Sequence, residues 1–319
     1  MMHRELLRRE VLLVVGAVAL AALAGCAARA NVGSTAEATS LLGEPLRPRE
    51  FPPEARQRLE QQLATARSAY ERAPNDADSI IWLGRRLAYL ERYRDAIAVF
   101  AEGIQKHPAD ARMYRHRGHR LLTLRRFDEA LTDFQKAAEL TRGVPDETEP
   151  DGAPNRLNIP TSTTQGNIYY HLALAHYLKG DYEPALAAWQ EALRIARNND
   201  TRVAVTDWLY MTLRRLGRHD EARALLTSIT PDLEIIENTA YHRRLLFYKG
   251  QLPADSLLTP GQTDELQYVT QGYGVGNWYL AEGDSARARQ IFDRVLQSGY
   301  WAAFGYIAAE ADVARERGR

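Results

Sequence analysis

The sequence predicts an all-α solenoid, a stack of short helix pairs with no single central core. Two observations carry this. The chain repeats itself at a shift of 34 residues, and aliphatic residues, alanine and charged residues dominate its composition. A chain of 319 residues is long for one compact core. A repeat array escapes that limit, because each unit packs only on its neighbours.

The self-similarity is clearest between 83 and 137. Leu83, Gly84, Leu87, Tyr93, Ala96, Phe100 and Pro108 mark a first unit. Tyr114, Gly118, Leu121, Phe127, Ala130, Phe134 and Ala137 mark a second. Gly84 pairs with Gly118, Tyr93 with Phe127, Ala96 with Ala130 and Phe100 with Phe134, each at an offset of 34. Two short antiparallel helices cannot hide their apolar faces alone. A small residue lets their backbones approach, and a large one fills the gap to the next pair. These positions resemble the tetratricopeptide repeat (TPR). The resemblance implies a right-handed superhelical solenoid of helix–turn–helix units.

The same register recurs downstream. Tyr169, Leu172, Gly180, Tyr182, Ala185, Trp189 and Ala192 form a third unit from about 166. Leu209, Leu213, Gly217, Ala222 and Leu226 form a worn fourth from about 203. Residues 239–258 read as a degenerate fifth. Gly276, Tyr279, Gly283, Ala288 and Phe292 form a sixth from about 269. The expected organisation is an N-terminal helix with two repeats over 53–142, the remaining repeats over 166–299, and a capping helix over 300–319. Between the second and third units, residues 143–165 break the period with four prolines, two glycines and an acidic run. An insertion of that length inside an array is expected to be a functional loop or a tether.

The N-terminus reads as an address. Arg4, Arg8 and Arg9 precede thirteen uncharged residues, 11–23, which suits a signal-peptide h-region and is short for a membrane span. The string Leu23-Ala24-Gly25-Cys26 resembles the lipobox of bacterial lipoproteins. That resemblance implies a signal peptide over 1–25 and acyl chains on Cys26, enough to make a stable membrane anchor. Residue 27 is alanine and not the aspartate that retains such proteins in the inner membrane, so the resemblance favours the outer membrane, facing the periplasm. Residues 26–52 are expected to be a lipidated cysteine and flexible tether.

Several chemistries are excluded or disfavoured. The formal net charge is zero, so no global field points to nucleic acid. Cys26 is the single cysteine, which removes internal disulfides and, once lipidated, thiol catalysis. His116 and His119 share a helix face but lack an HExxH string and a third ligand. His171 and His176 diverge around their helix, and His176 takes a packing position. The glycines at 272, 274 and 276 do not form a dinucleotide fingerprint. Asp146, Glu149 and Asp151 lack the spacing of a calcium loop. No cofactor, metal or catalytic set is expected.

In the TPR family the first helix of each pair lines a concave groove. Carried over position by position, the resemblance implies a groove formed by Asp78, Arg85 and Tyr89, by Arg112, Arg115 and His119, by Asn167, Tyr170 and Tyr177, by Asp207, Arg214 and Arg215, and by Tyr273 and Asn277. Arg85 and Tyr170 depart from the carboxylate-clamp pattern that binds chaperone tails. Arginine forks beside tyrosines suit carboxylates and extended peptide backbone. The acidic run 146–151 leaves the array beside the second repeat and is expected to fold back over Arg112 and Arg115. The expected function is a non-enzymatic scaffold that recruits a protein or peptide to an envelope membrane. A glycan- or peptidoglycan-binding lipoprotein and an enzyme built on the 143–165 loop are the alternatives.

Overall fold

The computed structural model describes residues 35–259 and 265–318. The expected signal segment 1–25, Cys26 and the start of the tether lie outside the described residues. From Ala36 onward the chain forms one compact unit. Its helices are α1 (Pro53–Arg72), α2 (Ala77–Tyr89), α3 (Tyr93–Lys106), α4 (Ala111–Thr123), α5 (Phe127–Leu140), α6 (Thr164–Lys179), α7 (Tyr182–Ile195), α8 (Asn199–Arg215), α9 (His219–Leu225), α10 (Thr239–Tyr248), α11 (Asp255–Leu258), α12 (Glu265–Ala281), α13 (Ser285–Gln297) and α14 (Phe304–Arg317). Successive helices from α1 to α9 pack pairwise. The path then continues from α8 to α10 and from α10 to α12, followed by α13 and α14. This is the expected all-α solenoid.

The period has a visible steric cause. A β-carbon on Gly84 would collide with the ring of Phe100; one on Gly118 would stand 2.8 Å from Phe134, and one on Gly276 2.6 Å from Phe292. The first helix of each pair is therefore bare where the second helix inserts its ring. Phe100 and Phe134 are fully buried, each worth about 2–3 kcal/mol of transfer free energy. Helix starts repeat as well. Asp76 accepts from Ser79 N at 2.8 Å, and Asp110, one period later, from Arg112 N at 2.9 Å.

The turn inside each pair needs a left-handed residue. Glycine supplies it at Gly180, Gly217, Gly250 and Gly283. In the first two repeats the same position holds Glu91 (φ 57°) and Arg125 (φ 64°). Such conformations cost non-glycine residues about 1 kcal/mol. Both side chains are buried and paired to chain from outside the array, as follows.

Residues 36–52 are not the expected flexible tether. Ala38–Thr39 pairs antiparallel with Pro45–Leu46, and Leu46 is buried with Leu83, Leu87 and Trp301. Arg49 donates to Glu91 at 2.6 Å, and Trp301 Nε1 donates to Arg47 O at 2.6 Å. The sequence looked tether-like because the arm buries few side chains of its own and is fastened by backbone and charge.

Two boundaries also move. The fourth unit starts at Asn199, not near 203, because Asn198 caps α8 by accepting from Thr201 N at 2.8 Å. The insertion ends at Thr163, which accepts from Gly166 N and opens α6. The final helix packs on α12 and α13, as a capping helix does, but it also reaches α6. Residues 307–313 of α14 are buried without a break, so chain surrounds it on every side.

Candidate functional site

The inner helices α2, α4, α6, α8 and α12 carry the expected groove residues, and the structure fills that groove from within. At the N-terminal end the filler is the insertion. Its two limbs meet at an antiparallel bridge between Thr148 and Thr163, with Glu149 N donating to Ser162 O at 3.1 Å. Beyond the bridge the tip enters the groove. Arg115 Nη2 lies 3.0 Å from Glu149 Oε1, and Asn167 Nδ2 donates to Glu149 Oε2 at 3.0 Å. Arg85 Nη1 donates to Pro150 O at 2.8 Å, and Arg86 Nη1 to Gly152 O at 2.9 Å. Gly152 lies so close to the Tyr89 hydroxyl that a β-carbon there would collide with it. Arg85 also stacks on Trp82, 4.5 Å from the ring centroid, which fixes its fork.

Arg112 does not join this arrangement. Its guanidinium is held by Asp110 at 2.6 Å and by Asp78 at 2.7 Å, one repeat back. Those local carboxylates outcompete the loop, and Arg86, one position beyond the expected groove residue Arg85, takes part instead. Asp146 accepts from Gln165 N at 2.9 Å and so helps to start α6, and Asp151 accepts from Ala153 N at 3.0 Å within the tip's own turn. Only Glu149 of the three expected acids reaches the groove.

At the C-terminal end the filler is α14. Tyr177 is fully buried, and its hydroxyl lies 2.8 Å from that of Tyr273. Tyr273 donates to Asp312 Oδ2 at 3.1 Å, and Arg215 Nη2 donates to the same carboxylate at 2.6 Å. The Asn277 amide oxygen accepts from Arg215 Nη2 at 2.7 Å. Tyr177, Arg215, Tyr273 and Asn277 are therefore internal structure and not an open wall. Arg214 is held by Glu282 at 2.8 Å. Asp207 is wholly buried against Arg244, at 2.8 Å. Burial pushes the Asp207 carboxyl up to about 7, against the pull of Arg244. α14 also sends Glu310 to Arg125, at 2.5 Å with both side chains almost entirely buried. Leu41 N in the N-terminal arm donates to the same glutamate at 2.6 Å, so the described ends of the chain meet at one carboxylate.

Between the two fillers lies a cavity of about 320 Å³, with Arg115, His119, Asn167, Tyr170, His171 and Phe304 on its walls. His119 and His171 lie ring against ring at 4.4 Å, and Phe304 packs on both. Arg120 donates to His119 Nδ1 at 3.0 Å, and His171 Nδ1 donates to Asn167 O at 2.6 Å. Burial, and then the neighbouring arginines, hold His116, His119 and His171 well below the usual histidine range. The His116 and His119 imidazoles are thus neutral acceptors for Arg115 and Arg120. Tyr170 is engaged with Tyr241, hydroxyl to hydroxyl at 3.1 Å. His176 is largely buried, its side chain 16% exposed and 3.9 Å from Asp181, in keeping with a packing position.

Sequence reasoning missed Arg86, Gly152, Phe304, Glu310 and Asp312. The tail carried a usable signal. Glu310 and Asp312 stand inside a run of small and apolar residues with no polar face, and acids in such a run need buried partners.

Comparison with known proteins agrees with this geometry. Models of the tetratricopeptide repeat match residues 83–145 and residues 166–199. The fold is a tetratricopeptide-repeat array. No curated protein matches the chain. Among solved structures, it is similar to YrrB, described as a TPR protein with an unusual peptide-binding site (17% identity, 73% of this chain and 91% of that one, TM-score 0.42). It is also similar to Pseudomonas aeruginosa PilF (17%, 76% and 85%, TM-score 0.45) and to a TPR protein of Parabacteroides merdae (15%, 78% and 92%, TM-score 0.47). The family matches and the repeat geometry, not these likenesses, carry the assignment.

Proposed function

We propose that this TPR array is a non-enzymatic scaffold, held by lipid on Cys26 at an envelope membrane, that receives a protein or peptide partner in the groove of its first three repeats. The observation that carries the reading is the state of that groove. Arg85, Arg86, Arg115 and Asn167 converge on one carboxylate and two backbone carbonyls of an extended segment. These are the contacts through which a helical groove holds a peptide. The lipobox at 23–26 supplies the anchor, and the alanine at 27 favours the outer membrane, facing the periplasm.

Neither alternative gains support from the side chains. Sugar stacking needs exposed rings, whereas Tyr177 and Tyr273 are fully buried and Tyr170 is packed against Trp189 and Phe304. An enzyme built on the insertion needs its acids against the groove histidines, whereas Glu149 lies on arginine and amide donors and Asp151 on its own turn.

Crosslinking in the native host tests the scaffold reading. A photo-reactive residue in place of Tyr89 should capture one defined envelope protein, while the same probe at the solvent face of α5, at Thr132, should not. Equal capture from both positions contradicts the groove assignment. Replacing Cys26 by serine should abolish acyl labelling and release the protein from membranes; retention with full labelling contradicts the anchor.

A further inference from the structure

The groove of the first three repeats holds a ligand that belongs to the chain itself, and this ligand is imperfect. Arg115 meets Glu149 through Nη2, while Arg115 Nε has no acceptor among the described residues. A guanidinium binds a carboxylate best through two parallel N–H bonds. Arg115 is only 6% exposed, so its half-used fork is a cost that a better-placed carboxylate relieves. The tip is also built to leave. Pro150, Ala153 and Pro154 are exposed, and no large apolar side chain between 146 and 156 is buried. The stem behaves differently. Thr161 O accepts from Asn198 Nδ2 and from Thr201 Oγ1, each at 2.8 Å, and Thr161 Oγ1 bonds to Glu237. A hinge therefore lies between a fixed stem and a tip held by polar contacts.

The tip also states what the groove reads. Pro150 brings no N–H that would need a partner, and Arg85 takes its carbonyl. The third residue after the glutamate must lack a side chain, because the Tyr89 hydroxyl and Arg85 stand where a β-carbon would go. Asp151 turns into its own loop and is not read by the groove.

We infer that Glu149–Gly152 is an intramolecular stand-in for the partner, and that the partner presents an extended acidic segment of the pattern Glu-Pro-x-Gly, which displaces the tip. This rests on the scaffold reading and names the chemistry of its ligand. The tethered tip competes at an effective concentration of about millimolar, so the free groove is masked and opens only to a better ligand.

The test uses a fluorescent peptide of the sequence of residues 147–155 and the full-length chain in detergent. In the chain, Glu149→Gln with Gly152→Ala weakens the tip. This variant should bind the peptide at least about tenfold more tightly than the unaltered chain. Adding Arg115→Ala should remove the gain, as should replacing the peptide glutamate that corresponds to Glu149 by glutamine. Hydrogen exchange on the Glu149→Gln chain, the milder variant, should show faster exchange at 149–153 with α6 unchanged. Equal affinity of variant and unaltered chain, or no binding by either while circular dichroism shows full helix content, overturns the inference. Capture of a host protein from position 89 that excess peptide does not prevent also overturns it, while leaving the scaffold reading standing.

Discussion

The N-terminal and C-terminal ends of the groove are both covered by chain from the same molecule, but the two coverings differ in kind. The insertion tip lies on Arg85, Arg86, Arg115 and Asn167 through polar contacts and buries no large apolar side chain. The α14 covering is buried throughout 307–313 and adds Phe304 to the aromatic wall. It also supplies Glu310 and Asp312 to Arg125 and Arg215. A polar covering exchanges with water or with another polar ligand at small net cost. An apolar covering with buried ion pairs cannot leave without exposing core and stranding charge. The α14 covering is therefore part of the fold, and the tip is a removable occupant.

The largest predicted contrast comes from one chemical change made in both places. Glu310→Ala leaves Arg125 buried and unpaired, and should lower stability by about 3–5 kcal/mol. Glu149→Ala should cost under about 1.5 kcal/mol, because the tip can lift and let water reach Arg115. Urea denaturation of both variants checks this, and similar losses would erase the distinction.

How much of this could be read beforehand follows the same division. The solenoid was legible because its period is enforced by contacts between near neighbours, with Gly84 against Phe100 and Gly118 against Phe134. The groove residues Arg85, Arg115 and Asn167 were legible by position, and so was the return of the acidic run to Arg115. Their state was not legible, since Arg112 is taken by local acids and Tyr177 by Tyr273, 96 residues downstream, which in turn reaches Asp312 of α14. Pairings such as Leu41 with Glu310 join distant segments and leave no periodic trace. The non-glycine residues at the left-handed turns, Glu91 and Arg125, were the available hint that something outside the repeats is bound there.

The second prediction concerns acid. His116, His119 and His171 are held neutral in the fold, while the unfolded chain protonates them below about 6.5. The unfolded state then binds more protons, so stability is full above that pH and is lost as pH falls. Each histidine contributes a loss of ~1 kcal/mol per pH unit below 6. Asp207 acts in the opposite sense, because its raised pKa of about 7 lets the fold bind a proton that the unfolded chain releases down to 3.8. It offsets one histidine of the three. Thermal unfolding from pH 7 to pH 5 should show a falling midpoint; a flat or rising midpoint would mean that the histidines charge within the fold.

A smaller contrast uses two glycines. Gly276→Ala presses on Phe292, 2.6 Å from the new carbon, and should cost about 1–3 kcal/mol by overpacking. Gly152→Ala collides with Tyr89 at the removable tip and should cost under about 0.5 kcal/mol globally, loosening only 149–153. Tyr177→Phe removes a hydroxyl from the Tyr273–Asn277 cluster and should cost about 1 kcal/mol, between these two.

The central claim, a fixed helix beside an exchangeable tip, is tested most directly by native-state hydrogen exchange on the unaltered full-length chain. Amides of 307–313 in α14 should exchange only through global unfolding, while those of 151 and 152 should exchange orders of magnitude faster, through local opening. Equal protection of the two segments, or α14 opening before the tip, would contradict it.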